Sequence, residues 1–147
     1  MRRAAACALL AALACRARGP VDAAALARKE CVAFEAAAEA PLGAALRRLD
    51  EVVARANGAA RLEAAQGALQ EANTLREVLE ARPAPAGLEY AWGEELTFAN
   101  HAVDGLAVFT RSDGGREALE RLRSVLARGR THRDRGRAAI AESRRRS

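Results

Sequence analysis

The side chains best suited to chemistry are a histidine and two carboxylates in one helical segment. Glu94 lies seven residues before His101, and Asp104 lies three residues after it. A helix places all three on one polar face together with Thr97. A histidine beside a carboxylate can act as a general base. This face, however, is opposite the apolar stripe of the same helix, so we expect His101 to be solvated and not catalytic.

Glu95 is a second candidate residue, because it is a carboxylate at a position expected to be apolar. Helical projection places it on the apolar side of the same segment, near Trp92 and Ala99. A buried carboxylate needs a partner. Two interpretations follow: a boundary position near the helix start, where the helix dipole favours an acid, or a carboxylate in an interhelical pocket that meets an arginine of the second or third helix. Glu95 and His101 are therefore the candidate pocket residues.

No catalytic motif accompanies these residues. The chain contains no Gly-rich phosphate loop, nucleophile elbow, Cys-x-x-Cys pair or haem-attachment motif. A di-iron bundle needs Glu three residues before each ligating histidine, whereas Phe98 precedes His101 and Gly129 precedes His132 at that spacing. We therefore expect a protein that is not an enzyme, with no catalytic residue, no metal site and no cofactor.

The N-terminus has the layout of a signal peptide. Arg2 and Arg3 precede an uncharged apolar run from Ala4 to Ala14, which is followed by Cys15. The run is about half the length that a membrane-spanning helix needs. We therefore expect cleavage after Ala14, so that residues 1–14 are removed and residues 15–20 become a tether.

Residues 10–15, Leu-Ala-Ala-Leu-Ala-Cys, resemble the lipobox of bacterial lipoproteins, although Leu is more usual at Ala12 and a smaller residue at Leu13. The resemblance implies that Cys15 is acylated and anchors the chain to a membrane. Two alternatives remain open: ordinary secretion to the periplasm or medium, and a cytoplasmic protein with an Ala-rich N-terminal helix. Without acylation, a disulfide between Cys15 and Cys31 becomes possible. With it, Cys31 is expected to be a small buried side chain.

Helical periodicity dominates after residue 20 and predicts an all-α bundle of four to five antiparallel helices over residues 21–128. A first helix is expected from Asp22 to about Ala40, ended or kinked by Pro41. A second apolar stripe runs from Leu42 to Ala56. The stripe then changes phase, so we expect a tight corner at residues 57 and 58, both of which tolerate a left-handed backbone.

The remaining elements follow from the same kind of pattern. A third stripe runs from Leu62 to Leu79, and residues 82–87 are rich in Pro and Gly and form a connector. The fourth helix, from Trp92 to Phe109, has the broadest apolar face. After a turn at residues 112–115, a shorter fifth helix is expected around residues 118–126, because the apolar pattern decays beyond Gly129.

Charge is distributed unevenly along the 147 residues. Residues 19–110 carry eight basic and fourteen acidic side chains, whereas residues 111–147 carry twelve Arg and five acidic ones. We interpret residues 129–147 as an Arg-rich, partly disordered tail that binds anionic lipid or polymer. The arginines expected to make these contacts are Arg128, Arg130, Arg133, Arg135, Arg137, Arg144, Arg145 and Arg146.

The sequence thus predicts a lipid-anchored protein of the cell envelope, a non-enzymatic helical scaffold or interaction module with an envelope protein as partner. The alternative is a soluble, basic-tailed helical protein that binds nucleic acid or another anionic polymer. An exported chain does not meet nucleic acid, and residues 128–147 contain no aromatic side chain to stack on a base. The envelope hypothesis is therefore preferred.

Overall fold

The computed structural model describes residues 23–55 and 57–146, and within this part all regular secondary structure is helical. The all-α class is confirmed. The elements in chain order are α1 (Ala23–Phe34), a π-helical segment (Glu35–Glu39), α2 (Ala40–Arg55), α3 (Gly58–Glu80), α4 (Glu89–Thr110) and α5 (Arg116–Arg146). The predicted signal peptide, the lipidation residue Cys15 and the tether lie outside the described residues.

Four helices, α2 to α5, pack together around one core. Leu42, Leu46, Leu49 and Val53 form the buried stripe of α2, as their spacing predicts. The other large contributors are Leu75 and Leu79 from α3, Phe98, Leu106 and Phe109 from α4, and Leu119, Leu122 and Leu126 from α5. The core therefore depends on periodic Leu and Phe side chains, with alanines between them that let the helices approach closely.

Helix α1 joins the bundle through two contacts. The Phe34 ring packs on the Trp92 ring with 5.1 Å between centroids. Cys31 is buried, as predicted, in a smaller cluster with Leu88, Ala91 and Ile140. The C-terminal half of α1 therefore packs on the distal part of α5 and on the beginning of α4.

Pro41 affects the chain in a way that the sequence only partly predicts. The helix is neither ended nor simply kinked there: it widens into the π-helical segment and resumes as α2, with Pro41 in its first turn. Proline has no N–H to donate and its ring crowds the carbonyl four residues earlier, and a local π-bulge relieves both problems. The widened turn carries Glu39 into the protein interior, where it is 2% exposed.

The corner between α2 and α3 lies where the sequence predicts it, and neither Asn57 nor Gly58 uses the left-handed backbone that both tolerate. Asn57 is extended (φ −75°, ψ 176°) and caps α3, because its side-chain oxygen accepts a hydrogen bond from the Ala60 N–H at 3.2 Å. Among the described residues, positive φ occurs only at Gly87 and Gly114. Gly58 is needed for proximity instead: a Cβ there would lie 2.8 Å from the Asp113 carbonyl oxygen.

The predicted fifth helix is much too short, and the expectation of a partly disordered tail after residue 128 needs correction. Helix α5 continues to Arg146, and its distal part packs against the bundle. The face that packs there consists of Gly129, Arg133, Gly136 and Ile140, so no run of large apolar residues marks it. The domain boundary expected after residue 128 therefore falls inside a continuous helix.

Candidate functional site

Glycines on α5 set the distance between α4 and α5. A Cβ on Gly129 would lie 3.0 Å from the Cβ of His101 and 3.3 Å from the Phe98 ring. A Cβ on Gly136 would lie 3.1 Å from the Ala91 carbonyl oxygen. Such contacts are tighter than most that a real Cβ atom makes, so a side chain at either position would require the neighbouring atoms of α4 to move by a few tenths of an ångström.

This close approach brings two histidines together. The rings of His101 and His132 stack with 5.5 Å between centroids and 28° between planes. Nδ1 of His101 lies 2.9 Å from the Thr97 carbonyl oxygen, and Nδ1 of His132 lies 2.8 Å from a Glu94 carboxylate oxygen. Because a carbonyl or a carboxylate only accepts, both Nδ1 atoms carry a proton in this arrangement. The sequence predicts the polar face of His101 but not its partner on α5.

Glu95 and His101 both lie at the α4–α5 contact, at different levels. Glu95 is 1% exposed, as its position in the apolar stripe predicts, and its carboxylate lies against Gly136. His101 lies beside Gly129 and lines a cavity of about 340 Å³ with Asp104 and Arg128. The sequence places Glu94, which pairs with His132, on the same face of α4 as His101.

Two of the tail arginines hold a buried carboxylate. Arg133 Nε donates to a Glu39 carboxylate oxygen at 2.5 Å, and Arg137 Nε donates to the same oxygen at 2.8 Å. The Arg133 guanidinium also lies 5.1 Å above the centre of the Phe98 ring. Arg133 is 17% exposed. These two residues connect α5 to the π-helical segment, and Glu39 neutralises one of their two positive charges, while the Arg137 side chain remains half exposed.

The other predicted tail contacts are more exposed. Arg130 pairs with Asp50 of α2 at 3.5 Å, and Arg145 pairs with Glu142 on its own helix at 3.1 Å. Arg128 and Arg135 are exposed to solvent. The side chains of Arg144 and Arg146 lie outside the described part. The predicted anion-binding set therefore divides into structural arginines and exposed ones.

A groove of about 700 Å³ lies between the C-terminal half of α4 and the N-terminal half of α5. Its apolar walls include Phe109, Leu122 and Val125, and Val108 at its edge is 63% exposed. It adjoins the smaller cavity beside His101, because Asp104, Val125 and Arg128 line both. The sequence offers one signal for this groove, which is a large apolar side chain at Val108 outside the α4 stripe.

Charged groups elsewhere in the described residues do not form a metal centre. No group of three or more His, Cys, Asp or Glu side chains in residues 23–55 and 57–146 is arranged to hold a metal ion. Backbone N–H groups of Glu89 itself and of Gly87 donate to the Glu89 carboxylate and hold its pKa below the ordinary value of 4.5. Glu89 thus stabilises the beginning of α4 and belongs to no site.

Comparison with protein-family models, with curated proteins and with solved structures yields no match to this chain. Within the described part of the chain, no helix combines the length and the apolar character that crossing a membrane requires.

Proposed function

We propose that this protein is a lipid-anchored, non-enzymatic interaction module of the cell envelope. Acylation of Cys15 supplies the anchor, and the helical bundle supplies the binding surface. The observation that carries the binding role is the groove between α4 and α5, where the exposed Val108 lies beside apolar walls and charged edges. An exposed apolar feature with a polar rim is typical of a protein interaction site.

The bundle is proposed to be antiparallel. Support comes from the pairs of residues that face each other across α4 and α5: Gly105 faces Val125, Phe98 faces Gly129, and Ala91 faces Gly136. Residue numbers fall on one helix as they rise on the other, which is the order that antiparallel neighbours have. The short connections before α3 and α5 favour the same arrangement for the other neighbours.

An anchor at Cys15 would keep the bundle close to the membrane. Helix α1 begins at Ala23, and eight extended residues reach at most about 28 Å. Cys31 lies about 12 Å along the helix from Ala23, and it packs on Ile140 in the distal part of α5. The exposed arginines Arg135 and Arg145 therefore lie near the anchored end, where each can add up to about 1 kcal/mol of attraction to anionic headgroups.

Membrane fractionation tests the anchor. The full-length protein and its Cys7→Ala variant are expected in the membrane fraction, because Cys7 lies in the cleaved segment and is the matched control. Cys15→Ala is expected in the soluble fraction, since it removes the acylated thiol. Equal membrane partition of the Cys15→Ala and Cys7→Ala variants would contradict the anchor.

Sedimentation with vesicles tests the basic end. The Cys15→Ala chain is mixed with vesicles of neutral lipid containing one-third anionic lipid, at low and at high salt. Replacing Arg135 and Arg145 by Glu should weaken binding at low salt, and high salt should remove the difference by screening. Replacing Arg111 and Arg123 by Glu, two exposed arginines toward the other end of the bundle, gives the same net charge and is the control. Equal effects of the two double variants would contradict a specific basic end.

A further inference from the structure

The α4–α5 groove has a particular charge pattern. Three carboxylates line it, those of Asp104, Asp113 and Glu117, and three guanidinium groups line it as well, those of Arg116, Arg121 and Arg128. Asp104 lies on the α4 side and Arg128 on the α5 side. A strongly acidic or strongly basic partner would meet as many repulsive groups as attractive ones. The groove therefore suits a partner that carries both signs in a matching order.

Three of the six charged groups at the groove form ion pairs within α5, and these pairs are weak enough for a partner to replace. Arg121 pairs with Glu117 one turn earlier, and Arg116 pairs with Glu120 one turn later. All four side chains are more than half exposed, so these pairs contribute little and can be exchanged for others at low cost. Asp104 and Arg128 are both exposed on opposite edges of the groove. Their charges are the ones that a partner would neutralise.

We infer, on the basis of the proposed interaction role, that the partner in this groove is a second copy of the same chain. A two-fold axis running along the groove places α4 of each copy over α5 of the other, and such an interface is self-complementary. Asp104 and Arg128 lie at the same level, since both line the groove and the adjoining cavity. The axis therefore sets Asp104 of each copy against Arg128 of the other, and Val108 of each copy enters the facing groove.

The size of the surface determines how tight this dimer is. The two adjoining cavities extend from Thr97 to Phe109 along α4, which is about 18 Å at 1.5 Å per residue. Two helices side by side are about 20 Å wide, so each copy contributes about 360 Å². This is below the standard interface of about 800 Å² per partner, which predicts a weak dimer. A shared membrane anchor would raise the local concentration and favour pairing.

Sedimentation velocity on the lipid-free, full-length Cys15→Ala chain tests the dimer from about 1 µM to 1 mM. A reversible monomer–dimer equilibrium is expected. Val108→Glu, Asp104→Arg and Arg128→Asp should each weaken it at least tenfold. An equimolar mixture of Asp104→Arg and Arg128→Asp should recover association. A dimer that contains one chain of each variant has an arginine facing an aspartate at both contacts, whereas a dimer of either variant alone has like charges facing each other.

The outcomes are distinct. A chain that stays monomeric to 1 mM, a dimer that all three substitutions leave unchanged, or a mixture that stays as weak as its components would each overturn the inferred pairing. Circular dichroism and Trp92 fluorescence establish that the variants remain folded. Membrane partition of the acylated Val108→Glu chain is expected to be normal, so loss of pairing is distinguishable from failure of the anchor.

Discussion

Arg133→Met is expected to destabilise the protein by about 3 kcal/mol. Arg133 and Arg137 are the two cations that contact the Glu39 carboxylate. The Glu39 side chain is 3% exposed, and the Arg137 side chain is 50% exposed. Removing a partner from a buried ion pair costs about 3–5 kcal/mol, because a charge remains in a poorly solvated place. Arg137 remains, so the lower end of this range applies. The lost contact with the Phe98 ring contributes up to about 1 kcal/mol of the total.

Urea unfolding followed by the fluorescence of Trp92, the only tryptophan of the chain, measures this loss. Trp92 is a suitable reporter because its indole N–H donates to the Leu79 carbonyl across the α3–α4 interface at 3.1 Å. Arg135→Met is the matched control, since Arg135 is exposed on the same helix, and a change within about 0.5 kcal/mol is expected. Adding Arg137→Met to Arg133→Met should increase the loss, because it removes the remaining cation from the buried Glu39 carboxylate. A loss equal to that of the control, or no further loss in the double variant, would refute the reasoning.

Three further predictions concern the helix ends and the α4–α5 contact. Deleting residues 131–147 should lower the free energy of unfolding by at least about 3 kcal/mol, because it removes both cations from Glu39 and a buried isoleucine; a truncated chain with unchanged urea midpoint would show that distal α5 contributes nothing. Gly136→Val should cost about 2 kcal/mol through overpacking against α4, whereas Gly67→Ala should gain up to about 1 kcal/mol, since a Cβ there meets no atom; equal effects in thermal unfolding would contradict the packing argument. Titration by NMR should give Glu89 a pKa below 4.5, so its contribution to stability is present at neutral pH and disappears as the pH falls through that lowered pKa; a pKa at or above 4.5 would contradict the hydrogen bonds at the start of α4.

The first four helices could be predicted because large apolar side chains, mainly Leu, Val and Phe, recur at helical spacing on their buried faces. Leu42, Leu46, Leu49 and Val53 are all buried as the stripe requires. The Pro- and Gly-rich connector also lies where expected, since α3 ends at Glu80 and α4 begins at Glu89. These elements depend on local periodicity, which a single sequence displays directly.

The distal half of α5 could not be predicted in this way. Its inward face contains Gly129 and Gly136, which favour close approach but carry no apolar signal. Arg133 is inward as well, and its partner Glu39 lies 94 residues away in the sequence. The pattern therefore has the composition of a solvated tail, although the packing is that of a core helix.

The candidate site could also be predicted only in part, because its contacts join different helices. Helical projection correctly places Glu95 on the apolar face of α4, but it predicts a solvated His101, which is half-buried against α5. It says nothing of which side chain of another helix lies opposite, so the stacking of His101 on His132 and the pairing of His132 with Glu94 are visible only in the structure. Contacts between distant segments depend on how closely the helices approach, which here depends on Gly129.

The intact mass of the protein purified from the membrane fraction of a bacterial host tests the central claim most directly. A lipid-anchored protein predicts a chain that begins at Cys15 and carries the additional mass of a diacylglyceryl group, with that additional mass absent in Cys15→Ala. A mass that corresponds to the unmodified chain from Met1, or to residues 15–147 without lipid, would contradict the proposed anchor.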